Sequence, residues 1–153
     1  MKNNKPVRII SLILSLAIVV VIFLFSAQEG DASNKVSMSF AALLAGDIDF
    51  TYFFHAMVRH GAHMTEYAAL SVCLYSLLLT FGEGKKYPTF ANLAFCILYA
   101  VSDEFHQYFV PGRSCNIRDM IIDSTGVILG MIFIQIVLRI VNKQKEKKKE
   151  RGR

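Results

Sequence analysis

Residues 9–25 read IISLILSLAIVVVIFLF, an uncharged run that follows Lys2, Lys5 and Arg8. An apolar stretch of this length with basic residues on its leading flank reads as a first membrane-spanning helix that keeps its N-terminal end in the cytoplasm. A cleaved secretory signal is the competing reading. The length of the run weakens it, as does Phe25 at the −3 position before Ala27, where cleavage asks for a small residue. An uncleaved helix over about residues 9–26 is expected.

The composition around this run agrees with lipid as the solvent. The chain has 153 residues, enough for one domain, and is 54% hydrophobic with no tryptophan. A water-soluble domain of this size could not hide so much apolar surface. Cys73, Cys96 and Cys115 form no CxxC or other ligand spacing, so neither a disulfide framework nor a cysteine metal site is implied.

Three further apolar stretches lie at 68–81, 87–102 and 124–138. Each offers about 14–16 uncharged positions where a spanning helix needs about 20. At about 1.5 Å per residue the shortfall is roughly 6–9 Å, so each helix must run on into charged flanks. The expected spans are 59–81, 88–109 and 117–140. The fold class is therefore all-α: an integral membrane bundle of four transmembrane helices with an extracytoplasmic segment between the first and second.

Charge sets the orientation. With both termini and the 82–87 loop in the cytoplasm, 13 of the 17 basic residues fall inside, and nine of the 12 acidic residues fall outside or in the outer leaflet. Residues 1–142 form the transmembrane domain. Residues 143–153, with seven basic and two acidic residues, form a basic cytoplasmic tail, expected to be disordered and to lie against anionic headgroups. No folded basic face accompanies this tail, so no nucleic-acid partner is expected. The segment of about 30 residues after the first span is too long for a simple connector. Within it, 36–44 reads as a short helix on the outer surface.

The three short apolar cores give out at the same end. The second span enters with RHGAHMTEY, the third leaves with SDEFHQYF, and the fourth re-enters with IRDMIIDSTG. Arg59, His63, Glu66 and Tyr67 fall at i, i+4, i+7 and i+8, one stripe of a helix. Asp103, His106 and Gln107 share a second stripe, with Glu104 about 100° away. Asp119 and Asp123 form a third, continued by the Gly126–Gly130 GxxxG pair that lets another helix approach closely. Ionisable groups inside a bilayer cost about 2.5–3.5 kcal/mol each at its centre and less near its surface, so these stripes should face one another. Glu66 is expected to pair with Arg59, His63 or Arg113. Pro111-Gly112 suits the centre of a type II turn, which would bring the last two spans side by side and set Arg113 over the cluster.

These residues resemble the VanZ-like family of bacterial membrane proteins. The segments that carry the resemblance are FSAQ with Ser33 and Ser37, RHGAHMTEYAAL, and DEFHQYFVPGRSCNIRDMIIDSTGVILG, the last matching the pattern DExxQxFxPGRxxxxxDxxxDxxG. Where many members carry a second basic residue or an asparagine, this chain has His60 and Asp123. The resemblance implies a multi-pass protein of the bacterial plasma membrane and a link to the cell envelope and to antibiotic resistance, since the name-giving member is associated with teicoplanin. It implies no established reaction.

The leading functional expectation is a non-enzymatic site in the outer leaflet, formed by Arg59, His63, Glu66, Tyr67, Asp103, Glu104, Gln107, Arg113, Asp119 and Asp123. Its ligand would be an amphiphile: a membrane lipid, a lipid-linked envelope precursor or a lipoglycopeptide. Arg59 and Arg113 would contact phosphate or carboxylate through paired donors. The alternative is a membrane-embedded hydrolase or transferase acting on a lipid-linked headgroup, with Glu66, Asp103 and Glu104 as acid/base candidates. Under this alternative His63, Glu66, Asp103, Glu104, His106, Asp119 and Asp123 include enough ligand types for a divalent metal, but the absence of HExxH, GxSxG or a similar signature speaks against it, and no metal or cofactor is expected. A third reading is a structural charge network that pins the helices together. His55 and His60 read as interfacial polar groups, Tyr67 as a packing residue, and Gln28 as able to fold over the mouth. A transport path through four spans would need oligomerisation.

Overall fold

The computed structural model describes residues 5–45, 48–81 and 86–151. Among them are five α-helices and no strand: α1 (Lys5–Ser26), α2 (Gly30–Ala45), α3 (Ile48–Leu78), α4 (Lys86–Gln107) and α5 (Ile117–Arg151). Residues 82–85 of the expected cytoplasmic loop lie outside the described residues. The all-α expectation holds. By length and composition, α1 and α5 are each able to cross a membrane.

α3 is the centre of the bundle and packs against all four other helices, most extensively against α5. Chain direction alternates among the long helices. At one end the Arg8 guanidinium lies 3.7 Å over the Phe81 ring, joining the start of α1 to the turn after α3. At the other end the loop between α4 and α5 bonds to the end of α1, through Arg113 to the Phe25 and Gln28 carbonyls.

The GxxxG pair explains the α3–α5 contact. A methyl group placed on Gly126 would strike the Met64 carbonyl, and one on Gly130 the Ala68 carbonyl. The two backbones therefore touch directly. Where lipid removes the hydrophobic drive for helix pairing, this close approach supplies the dispersion contacts that hold helices together.

The bundle interior mixes polar with apolar side chains, while many large apolar side chains lie on its outside. α1 buries Ser11, Ser15, Ile22 and Ser26 while leaving Ile9, Ile13, Leu16, Val20 and Leu24 exposed. Asn92 of α4 donates to Ser71 Oγ of α3 at 2.7 Å in the interior. The apolar core is small: Ile22, Tyr67, Leu70, Cys96, Ala100 and Val127. A surface this apolar is the kind that faces lipid rather than water.

Three boundaries differ from the sequence expectation. The surface helix expected at 36–44 is a 16-residue helix beginning at Gly30, and it packs along α3. α3 starts at Ile48 rather than 59, because 48–58 contains neither glycine nor proline and finds a packing partner in α2. The tail expected to be disordered is a continuation of α5 as far as Arg151. Its Lys, Gln and Glu residues are good helix formers, and Lys148, Lys149 and Arg151 complement the negative end of the helix.

Candidate functional site

The loop between α4 and α5 organises one end of the bundle. Val110 O accepts from Arg113 N at 3.1 Å and Gly112 has φ of 73°, so Val110–Arg113 is a type II turn. Only glycine adopts that φ without strain. The turn docks on the start of α2, where Gly30 N donates to Pro111 O at 3.0 Å. There is no room for a side chain on Gly30, since its methyl would collide with the Gly112 carbonyl.

Arg113 fastens this turn to α1. Its Nη2 donates to Phe25 O at 3.1 Å, its Nε to Gln28 O at 3.2 Å, and its Nη1 to Gln107 Oε1 at 3.4 Å. The last carbonyls of a helix have no internal partner and carry its negative end, so a guanidinium is well matched there. Burial, with the nearby positive charge of Arg59, lowers the pKa of Arg113.

A rung of charge joins α3 to the start of α5. Arg59 Nη2 lies 3.8 Å from Asp119 Oδ2, and His60 Nε2 lies 3.6 Å from Asp119 Oδ1. Asn116 caps α5 by accepting from Arg118 N at 3.0 Å, and its own N donates to Glu104 Oε2 at 2.9 Å. Glu104 thus holds the cap of α5.

Beneath the rung, α3, α4 and α5 bring His63, Tyr67, Asp103 and Asp123 together. His63 Nδ1 stands 3.7 Å from Asp123 Oδ1. Gln107 Nε2 donates to Asp103 Oδ2 at 3.2 Å. Asp123 is fully buried, and neither of its oxygens has a hydrogen-bond partner among the described residues. Nor has His63 Nδ1, while the Tyr67 hydroxyl turns to Asp103. An unpaired buried polar group costs about 1–3 kcal/mol, and a carboxylate more, so Asp123 is costly to bury here.

Beside it opens a cleft of about 290 Å³ between the end of α1, α2, α3 and Arg113. Its polar side carries Arg59, His63, Glu66 and Arg113. Phe25, Val36, Phe40 and Val58 form the apolar side, with the Ser33 and Ser37 hydroxyls between.

The ten residues expected at one site therefore divide. Arg59, His63, Glu66 and Arg113 line the cleft; Tyr67, Asp103 and Asp123 lie behind it; Gln107 links Asp103 to Arg113. Asp119 and Glu104 hold the start of α5. Glu66 has none of the expected ion pairs among the described residues, because Arg59 and His63 turn to the aspartates of α5. His106 leaves its stripe and faces α1, 3.3 Å from Ser26 Oγ. His60 enters the rung although its position in the sequence suggested only an interfacial group. The α2 wall was equally hidden, since an apolar face does not name the helix it packs on.

No curated protein and no solved structure matched the chain. The VanZ/LLP1 family profile matched residues 11–138, which include the clasp, the rung, the buried cluster and the cleft. The chain belongs to the VanZ/LLP1 family.

Proposed function

We propose that this protein crosses the plasma membrane four times, through α1, α3, α4 and α5, with both termini in the cytoplasm, and that its cleft opens in the outer leaflet to hold an amphiphile. The positive-inside bias supports the orientation. The outward apolar faces of α1, α4 and α5 support multiple spans, with Phe90, Leu98, Phe105, Ile121 and Phe133 all exposed.

The observation that carries the ligand class is the two-sided cleft. Arg59, with one edge of Arg113, suits a phosphate or carboxylate, and Glu66 suits a hydroxyl or amine on the same headgroup. The Phe25, Val36, Phe40 and Val58 side suits the first part of an acyl or isoprenoid chain. At about 290 Å³ the cleft lies at the small end of ligand sites, which run from about 300 to 1,000 Å³. That volume suits a headgroup better than a glycopeptide scaffold. A membrane lipid or lipid-linked envelope precursor is therefore favoured. Teicoplanin would engage only through its acyl chain, and any effect on susceptibility would come through the envelope lipid.

The test is retention of labelled anionic lipid and of a polyprenyl phosphate by purified protein in detergent, compared with Arg59→Ala. Weakened retention by the variant is expected; equal retention would sink the reading. A structural role for the charges is favoured at one residue. Three of the five N–H groups of Arg113 already serve α1 and Gln107, so Arg113 is first a clasp.

A further inference from the structure

We infer that His63, Asp103 and Asp123 form a binding site for one divalent transition-metal ion of the zinc or manganese class, enclosed between α3, α4 and α5. The inference departs from the sequence expectation of no metal and does not rest on the cleft binding a lipid.

Each of three helices contributes one ligand, and the candidate ligand atoms all lie within 4.8 Å of one another. A zinc ion about 2.0–2.1 Å from its ligands sets tetrahedral neighbours about 3.4 Å apart. His63 Nδ1 and Asp123 Oδ1 stand at 3.7 Å, close to that spacing. Side-chain rotation of about 1–1.5 Å brings the set to coordination distance.

The frame around the set is rigid. Gly126, one turn from Asp123, presses its backbone on Met64, the neighbour of His63. The α3 and α5 ligands are thus positioned by a backbone contact rather than by flexible side chains. Gln107 holds Asp103 by a 3.2 Å hydrogen bond and is itself bonded to Arg113, the outer support that oriented metal ligands generally have.

A second observation points to a ligand independently of this geometry. Tyr67 is fully buried, and its hydroxyl turns to Asp103 in the field of both carboxylates. It stands one turn beyond His63 on the same face of α3. Both oxygens of Asp123, which is fully buried, lack a hydrogen-bond partner among the described residues. A dication answers these demands together: it neutralises two carboxylates, takes the lone pair of Nδ1, and gives the phenol or a water a fourth position. One imidazole with two carboxylates favours zinc or manganese over calcium and magnesium, which prefer all-oxygen sets. His63 also lines the cleft, so the ion has a path in.

The experiment uses full-length protein purified in detergent without added lipid, stripped of metal and titrated with Co²⁺ and Zn²⁺. Wild type should bind about one Co²⁺ per chain, with visible absorption that Zn²⁺ displaces. Asp123→Asn and His63→Gln should lose at least tenfold in affinity, whereas Glu146→Gln, at the far end of α5, should match wild type. If a variant does not fold, the wild-type titration decides alone. Absence of a one-equivalent signal in wild type overturns the inference. An unchanged signal in folded Asp123→Asn overturns it equally. Because no lipid is present, either outcome leaves the cleft reading untouched.

Discussion

Arg113 Nη2 donates to the carbonyl oxygen of Phe25 at 3.1 Å, joining two positions 88 residues apart. The loop between α4 and α5 thereby closes the end of α1, and removing the guanidinium breaks its bonds to α1, to the α1–α2 connection and to α4 at once. Hydrogen bonds from charged groups contribute about 1.5–3 kcal/mol each, so Arg113→Ala should lower stability by at least about 2 kcal/mol. Arg113→Lys should rescue little, because one ammonium cannot match three acceptors in fork geometry. Thermal unfolding in detergent checks both; a lysine variant as stable as wild type would remove the clasp from the account.

Glycine positions should respond in opposite directions. Gly126→Val and Gly130→Val drive a side chain into the Met64 and Ala68 backbones and should sharply reduce folded protein. Gly61 lies within α3 with nothing within 4 Å of its would-be methyl. Gly61→Ala should be neutral or stabilising by up to about 1 kcal/mol, from helix propensity alone. Abundance and melting temperature of the three variants, read side by side, decide whether close backbone packing or general glycine content matters.

The docking of the turn on α2 makes a separate forecast. Gly30→Ala should destabilise because the Gly112 carbonyl occupies the space its methyl needs. Gly112→Ala should also destabilise, by about 1 kcal/mol or more, because its φ of 73° is a left-handed conformation. If the loop moves aside freely, neither will shift the melting temperature.

The charge rung predicts coupling. Arg59→Gln and Asp119→Asn should each cost less than about 1 kcal/mol, since both groups are partly exposed, with side-chain exposures of 29% and 13%. The double variant should cost less than the sum. Strict additivity in the cycle would mean that the 3.8 Å contact contributes nothing.

Native cysteines test the membrane orientation. Cys115 is exposed in the loop between α4 and α5, whereas Cys96 is buried. A membrane-impermeant maleimide should label Cys115 in intact cells and leave Cys96 unmodified. Labelling of Cys115 only after permeabilisation would invert the proposed topology.

Helix content and the level of the polar residues were legible in the chain itself. Uncharged runs such as 9–25 and 124–138 carry their own signal, because apolar length and helical period are local properties. The type II turn was equally readable, since Pro111-Gly112 sets φ at both central positions. Partner choice was not local. Whether Arg59 meets Glu66 on its own helix or Asp119 across the bundle depends on how α3 and α5 are rotated, and the Gly126–Met64 contact sets that rotation. The α2 wall of the cleft, the return of Arg113 to Phe25, and the unpartnered oxygens of Asp123 likewise exist only once three helices enclose one volume. Sequence placed the charges at a common end; the packing of backbone on backbone decided which of them meet.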